Sequence, residues 1–479
     1  MTATWYEVLP ASDRSFLVFE DAHAHMHLGG VMLFEPGPLG MPDGAVAIDR
    51  IRAHIASRLH VRPRYRQRLA TVPIRNRPIW IDDPHFNLSY HVRHTAVPRP
   101  GDDEQLKQLC ARIFSQQLDR GKPLWELWVV EGLEGGRFAL LVKVHHCMAD
   151  GISAFDLVSA LLGPTPDDAV APAEPWTPRP SPSAARLLRD ELARQASAPL
   201  EVACALASTL RDRTRGLSVV REQLRGLLST IAAGARPPDP TPLNGPIGPH
   251  RRFDWLSLDL DEVKRVRRQL GGTINDVVLA TVTGGIRAFL RRRGVRADGL
   301  FFRAVVPVSV RSDDDRGAGG NRVSGWLVRL PVDEADPLRR LGRVRAVTSN
   351  LRASGQALGP DLMGRVADWA MPGFLTLGVR LTSRLAPYNV IVTNVPGPPM
   401  PLYLLGARLL AGYPVVPLFE NQGIGVALFS YVGQLCWGFN ADWDLVPDLR
   451  RFVEAVRGAF RELADAAHAT ETPDAAVGA

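Results

Sequence analysis

The chain has 479 residues, enough for two or three domains of ordinary size, and its apolar content of 46% suits a globular protein with a sizeable core. The net charge is +7, and almost all of the positive charge is arginine. A basic surface can attract nucleic acid, anionic lipid or a phosphorylated cofactor. No zinc finger, RNP-like aromatic motif or basic repeat supports nucleic acid, so we expect no nucleic-acid partner. The four cysteines are scattered, which indicates a reducing compartment without disulfides.

The N-terminal part of the chain, residues 1–163, is predicted to form one lobe. Met1 to Pro10 lacks the basic start and apolar core of a signal peptide, so we expect a cytoplasmic protein. A short helix-like run is followed by a strand-like end at Gly30 to Phe34. The remaining predicted elements of this lobe are the helix Val46 to Leu59, extended segments at Tyr65 to Val72 and Ile79 to Ile81, the strand Tyr90 to Val97, the helix Asp103 to Leu118, and two pairing strands at Pro123 to Val130 and Phe138 to Val144.

Residues 164–250 are predicted to cross between two lobes. Gly163 to Ser183 is dense in Pro, Asp and Ala and is typical of a linker. Two helical runs follow, Ala184 to Ala196 and Leu200 to Ala233, and their apolar stripes need a partner. A second proline-rich stretch, Arg236 to Pro249, ends this region.

Residues 251–470 are predicted to form a second lobe, followed by a disordered tail at 471–479. The predicted strands are Arg252 to Leu258, Phe301 to Arg311, Val323 to Val332, Val390 to Asn394, and three that complete the sheet, Ala407 to Val415, Gly423 to Tyr431 and Leu435 to Asn440. The predicted helices are Asp261 to Leu270, one capped by Thr273, Leu338 to Leu358, Asp361 to Leu385 and Asp448 to His468. Because strands and helices mix without strict alternation, we expect two α+β lobes with mixed sheets.

One long apolar stretch is a candidate membrane element. No run of about eighteen apolar residues appears, so no transmembrane helix is expected. Val366 to Leu385 comes nearest, but charged residues and Pro372-Gly373 interrupt it. It could lie on a membrane surface, or it could be a buried or groove-lining helix.

The stretch His145-His146-Cys147-Met148-Ala149-Asp150-Gly151 lies where a predicted strand turns into a helix. If the pleat continues to its end, His146 shares the apolar face of Phe138 to Val144, and His145 faces the other way. A neutral imidazole can remove the proton of an attacking hydroxyl. The residues alone leave open a catalytic histidine or a core histidine, with Asp150 as second base, metal ligand or anchor. The contiguous His145, His146 and Cys147 are poor geometry for one metal, so we expect no metal site.

Several motifs in a fixed order resemble the wax ester synthase/diacylglycerol acyltransferase family. The His145 to Gly151 stretch fits its HHxxxDG box, Pro123-Leu124-Trp125 its PLW element, and Asn275-Asp276-Val277 its ND element. Further segments resembling the family are Pro307 to Arg311, Gly320-Asn321 and Thr393 to Gly397. The resemblance covers roughly residues 5 to 465.

This resemblance implies two chloramphenicol-acetyltransferase-like lobes with an active-site tunnel between them. It implies transfer of a long-chain acyl group from acyl-CoA to a diacylglycerol or a long-chain alcohol. Acyl-CoA would be a co-substrate, and no cofactor is expected. We also expect peripheral contact with a membrane or lipid-droplet surface, and a monomer or homodimer.

The resemblance also assigns roles to residues. His146 is the expected general base, and His145 is expected to pack or hydrogen-bond behind it. Asp150 is expected to be structural and to pair with Arg311, while Gly151 lets the chain turn. Asn275 could stabilise an oxyanion or hold the lobes together, and we expect support rather than chemistry. The helix start itself favours a carboxylate and explains Asp276 as a helix cap. Residues expected to form tunnel wall, core or lobe-interface loops are Pro123, Leu124, Trp125, Asn321, Thr393 and Asn394.

Two other functions remain open at this point. The chain could be a non-catalytic acyl-CoA- or lipid-binding homologue. It could also be an acyltransferase with a carrier-protein-bound donor or a polyketide-type hydroxyl acceptor.

Overall fold

Two mixed β-sheets form the framework of the protein. The structure is a computed structural model that describes residues 6–74, 76–148, 158, 160–196, 236–309, 323–353 and 388–471. The strands are β1 (Glu7–Val8), β2 (His27–Phe34), β3 (Gln67–Thr71), β4 (Pro78–Asp82), β5 (Val92–Ala96), β6 (Trp125–Glu131), β7 (Phe138–His145), β8 (Arg251–Asp259), β9 (Phe302–Ser309), β10 (Val323–Leu330), β11 (Val390–Val395), β12 (Tyr403–Leu404), β13 (Ala407–Val415), β14 (Ile424–Tyr431) and β15 (Gln434–Asp442). The helices are α1 (Ala11–Phe19), α2 (Ile48–Arg58), α3 (Leu88–His91), α4 (Asp103–Phe114), α5 (residues 184–196), α6 (Leu260–Leu270), α7 (Ile274–Arg292), α8 (Pro337–Ala353) and α9 (Leu449–Glu471).

The first sheet has the strand order β12-β13-β2-β7-β6-β5. The predicted pairing of β6 with β7 is confirmed, and it is antiparallel, with Glu126 opposite Lys143. The strand β5 joins β6 in parallel, so the sheet is mixed as expected. A separate small sheet, β1-β4-β3, lies in the same half of the chain.

The second sheet has the order β10-β9-β11-β14-β15-β8. Its strand β11 runs parallel to both β9 and β14, whereas β10, β15 and β8 pair antiparallel. Side chains from this sheet and from α6, α7, α8 and α9 form one continuous apolar core. The predicted α+β class with two mixed sheets is confirmed.

One predicted strand pairing is wrong. Residues Ala407 to Val415 form β13, but β13 pairs with β2 of the first sheet instead of completing the second. Its pairing covers the edge of β2, which would otherwise offer unpaired backbone groups. Strand identity follows from local alternation, whereas the partner depends on contacts almost four hundred residues apart, which the local pattern does not contain.

Local capping explains several element boundaries. The predicted cap at Thr273 is confirmed: its side chain accepts from the backbone N–H of Asp276, and Asp276 returns a hydrogen bond. The predicted strand Tyr90 to Val97 is shorter than expected because the turn of helix α3 precedes it, capped by Asn87.

Several predicted elements lie partly or wholly outside the described residues. The helix Leu200 to Ala233, the helix Asp361 to Leu385 with its candidate membrane stretch, and the end of the tail are in this group. Among the helices that the structure does describe, none has both the length and the apolar character needed to cross a bilayer.

Candidate functional site

The turn after β7 carries His146. Strand β7 ends at His145, and His146–Met148 forms a single 3₁₀ turn. The condition for His146 to share the apolar face of β7, a pleat that continues through it, is therefore not met. The backbone N–H of His146 donates to the carbonyl of Met26 at 2.8 Å. Its ring stacks on Phe16, with ring centroids 3.6 Å apart and planes 12° apart. The segment that contains α1 therefore holds both the backbone and the ring of His146.

The half-buried imidazole of His146 is held in its neutral form. Burial lowers its pKa to about 4, its own backbone carbonyl acts in the opposite direction, and the neighbouring His145 lowers it further. Within the described residues, its buried Nδ1 has no partner at ordinary hydrogen-bond distance and angle. At neutral pH one nitrogen of this ring carries no proton, which is the state that a general base needs.

The side chain of the neighbouring His145 is completely buried. Its Nδ1 accepts a hydrogen bond from the backbone N–H of Cys147 at 3.1 Å, and its Nε2 lies 3.4 Å from Oε2 of Glu20. Because Nδ1 is the acceptor, these contacts assign the ring proton to Nε2, facing the carboxylate. The backbone N–H of His145 donates to the carbonyl of Leu124 at 2.9 Å. His145 thus has a fixed orientation from three directions.

Glu20, at the end of α1, links three parts of the site. Arg120 donates to Oε2 of Glu20 through Nε at 2.8 Å, and the backbone N–H of Met26 lies 3.3 Å from Oε1. Burial alone would raise the pKa of Glu20, but the hydrogen bonds from His145 and Arg120 and the positive charge of Arg120 outweigh it and lower the pKa to about 2. The carboxylate is therefore ionised at neutral pH.

Sequence reasoning missed Phe16, Glu20 and Arg120. Phe16 and Glu20 are four residues apart, a spacing that places side chains on one side of a helix, and this was the one local signal available. Arg120 lies three residues before Pro123, but nothing in that spacing indicates its contact with Glu20, which spans one hundred residues.

The PLW element lies in the core next to the site. Leu124 and Trp125 are fully buried, and the indole of Trp125 donates to the carbonyl of Tyr65 at 2.8 Å. The ring of Trp125 also stacks on His91 with centroids 4.6 Å apart. Pro123 is buried at the start of the same segment.

The ND element lies in the second lobe. The carboxylate of Asp276 accepts from the backbone and hydroxyl of Thr273 at 2.8 Å and from the hydroxyl of Thr348 at 2.7 Å, and Arg352 lies 3.4 Å away. These contacts give Asp276 the helix-capping role expected of it. Asn275 is half-buried in the first turn of α7.

The other predicted site residues divide into two groups. Thr393 and Asn394 are half-buried on β11, where they lie opposite Ala427 and Leu428 of β14. Asp150, Gly151, Arg311 and Asn321 lie outside the described residues, so the pairing of Asp150 with Arg311 stays a prediction.

Arg120 also lines a polar surface cleft of about 560 Å³. The cleft is formed by the α3–β5 region and by the segment between α4 and β6, and Glu126 lies in its wall. Within the described residues, no group of His, Cys, Asp or Glu side chains is arranged to hold a metal ion.

Two family models match the chain over most of its length. The wax ester synthase/diacylglycerol acyltransferase catalytic domain matches residues 9–278, and the C-terminal domain of the same family matches residues 319–464. Two relatives in Mycobacterium tuberculosis are named probable diacylglycerol O-acyltransferases. One is 36% identical over 95% of this chain and 95% of its own length, and the other is 33% identical over 96% and 99%.

Solved structures agree with this fold. The wax ester synthase/diacylglycerol acyltransferase of Marinobacter aquaeolei superposes with a TM-score of 0.69 at 25% identity, over 96% of this chain and 100% of that one. The starter condensation domain of rhizomide synthetase superposes with a TM-score of 0.57 at 14% identity, over 98% and 97% of the two chains. The second similarity shows a shared fold only.

Proposed function

Because the chain belongs to the wax ester synthase/diacylglycerol acyltransferase family, we propose that it esterifies diacylglycerol, a long-chain alcohol or both, using long-chain acyl-CoA as the donor. It is an O-acyltransferase. The observation that carries its chemistry is the neutral imidazole of His146, stacked on Phe16 and held by its backbone at the turn after β7.

The reaction proceeds by direct transfer. The unprotonated ring nitrogen of His146 removes the proton of the acceptor hydroxyl as the oxygen attacks the thioester carbonyl. The new ester C–O bond forms, the C–S bond breaks, and the imidazolium returns the proton to the CoA sulfur. Holding both substrates together supplies the proximity effect. The sequence contains no nucleophile elbow of the G-x-S-x-G type, which supports a reaction without an acyl-enzyme.

His145 and Glu20 position the base. The ionised carboxylate of Glu20 orients the ring of His145 and accepts from the backbone N–H of Met26. The carbonyl of Met26 in turn accepts from the backbone N–H of His146. A negative charge behind the paired histidines also favours the imidazolium that forms during the reaction.

The remaining roles follow the family resemblance. Asp150 anchors the turn by pairing with Arg311, and Gly151 allows the chain to turn there. Asn275 supports the site, and Pro123, Thr393, Asn394 and Asn321 shape the substrate tunnel between the lobes. No cofactor takes part.

The acceptor and the basic composition support a peripheral attachment to membrane or lipid-droplet surfaces on the cytoplasmic side. The protein acts there as a monomer or homodimer. Anionic lipid attracts arginine-rich surfaces, and the net charge of +7 favours such an encounter.

An acyl-transfer assay tests the proposed function. Labelled palmitoyl-CoA is offered with a diacylglycerol, with a long-chain alcohol, or without an acceptor. We expect labelled ester with at least one acceptor and none without. Saturable acyl-CoA binding with no ester from either acceptor would instead identify a lipid-binding homologue, and product only with a carrier-bound donor would indicate the third function.

A further inference from the structure

A buried arginine of the second lobe contacts the loop that holds the 3₁₀ turn of His146. Arg251 opens β8 and is only 3% exposed. Its Nη2 donates to the backbone carbonyl of His23, and its Nη1 donates to the carbonyls of Gly248 and His250 at 2.6 and 3.0 Å. The backbone N–H of Arg251 donates to the hydroxyl of Ser115 at 2.8 Å. Arg251 therefore connects β8 to the first lobe at two points.

The guanidinium of Arg251 has a fixed partner within the second lobe. The completely buried carboxylate of Asp442 lies 3.7 Å from Nη1 of Arg251. The same carboxylate accepts backbone hydrogen bonds from Gly248, Asp444 and Leu445 at 2.7 to 3.0 Å. Neither the Asp442 carboxylate nor the Arg251 guanidinium can move without leaving buried polar atoms unpaired. Arg251 is therefore a rigid support.

The loop on the other side, residues 21–26, is short and internally bonded. The carboxylate of Asp21 accepts from the backbone N–H groups of His23 and Ala24, both at 2.7 Å. Ala24 and Met26 are buried in a small apolar cluster together with Ile247 and Leu418 of the second half of the chain. The loop is thus held between the two lobes.

The last residue of the same loop contacts the turn of His146. Met26 supplies the carbonyl that accepts the backbone N–H of His146 at 2.8 Å, and its own N–H binds Glu20. A continuous series of contacts therefore runs from Asp442 through Arg251 to the carbonyl of His23, along three residues of loop, and to His146.

We propose that Arg251, supported by Asp442, is a positioning residue for His146: it fixes the loop of residues 21–26 from the second lobe, so that docking of the lobes and orientation of the base depend on each other. This inference rests on the proposed function. Arg251 does not touch the reacting atoms, and its effect passes through the Met26 carbonyl. Charged and titratable groups around the loop are Glu20, Asp21, His25, His27, Lys143, His145, Arg251 and Asp442.

The test compares Arg251→Met with Arg252→Met. The neighbouring Arg252 lies over the ring of Trp443 and donates to its carbonyl, so its replacement removes the same charge from the same strand without reaching the loop. Because a displaced base costs rate rather than substrate binding, we expect kcat of Arg251→Met to fall about 10- to 100-fold with little change in KM for palmitoyl-CoA. Arg252→Met should behave like the wild type.

The pH profile separates positioning from general destabilisation. Burial keeps the pKa of His146 low, at about 4, so the acidic limb of kcat/KM should lie well below the usual range for histidine. A loosened loop admits water to the ring, and the limb of Arg251→Met should move up by about one pH unit, toward the ordinary value for histidine. A smaller folded fraction alone would lower the whole profile without moving this limb.

Arg251→Lys is the second variant. It keeps the charge beside Asp442 and one donor toward the loop, so it should recover part of both changes. If Arg251→Met does not fold, Arg251→Lys and Asp442→Asn take its place, and their kcat and the acidic limb of their kcat/KM profile test the positioning role. An active wild type together with an unmoved limb in these variants would overturn the positioning role, whereas an inactive wild type would count against the proposed function itself.

Discussion

Replacing His146 by alanine should lower the rate of acyl transfer by about 10²- to 10⁴-fold, the usual contribution of a general base. The ring is neutral at pH 7 and is held by stacking on Phe16, so its loss removes the proton acceptor directly. The backbone contact of residue 146 to Met26 remains in the variant, because it uses the main-chain N–H. Steady-state rates with palmitoyl-CoA and the preferred acceptor measure the effect.

The control for this variant is His85→Ala, which removes an exposed imidazole from the same lobe. Circular dichroism and thermal midpoints of both variants should stay close to the wild type. Near-normal turnover by a folded His146→Ala protein would refute the role of His146.

Glu20→Gln should affect both activity and stability. The substitution keeps the shape of the side chain but removes the buried negative charge that lies next to both Arg120 and His145. We expect a loss of rate of at least about tenfold, because an uncharged amide has one acceptor oxygen and cannot accept from Arg120, the ring of His145 and the Met26 backbone together. Glu20→Ala should also lower the free energy of unfolding by about 3 kcal/mol, since it leaves buried groups unpaired.

The pH dependence of stability gives a second measure of Glu20. Its pKa is lowered in the folded protein to about 2, so its stabilisation is fully present above the ordinary pKa of glutamate and is lost as the pH falls toward 2. Denaturant midpoints at neutral pH and at about pH 3 should therefore differ less in Glu20→Gln than in the wild type.

Glu7→Gln is the matched control. Glu7 also pairs with an arginine, Arg64, but its side chain is 57% exposed. Removing an exposed pair should cost no more than about 1 kcal/mol and leave the rate unchanged. Equal behaviour of the two glutamine variants would contradict the role assigned to Glu20.

The sequence predicted the local features of this site well. The hairpin of β6 and β7, the cap formed by Thr273 and Asp276, and the mixed sheets all follow from short-range patterns and are present in the structure. Alternation along β7 is also correct as far as Val144. It fails at His146 because a single 3₁₀ turn starts there, and a pleat argument does not indicate where a strand ends.

The parts that could not be predicted depend on distant contacts. The predicted sheet of β13 is wrong, since alternation identifies a strand but not its neighbour. The contacts of Glu20 with Arg120 and of Arg251 with the His23 carbonyl join segments more than ninety residues apart. Each of these residues looks like an ordinary charged residue in the sequence, and only folding brings it to the turn of His146.

Direct transfer from acyl-CoA to the acceptor under the control of His146 is tested most directly by rapid-quench measurement of CoA release and ester formation. With acceptor present, we expect the wild type to release CoA and form labelled ester at the same rate, and His146→Ala to be slow in both. Without acceptor, we expect neither a burst of CoA nor label on the protein. A stoichiometric burst of CoA with covalently labelled protein would contradict the direct transfer and require an acyl-enzyme.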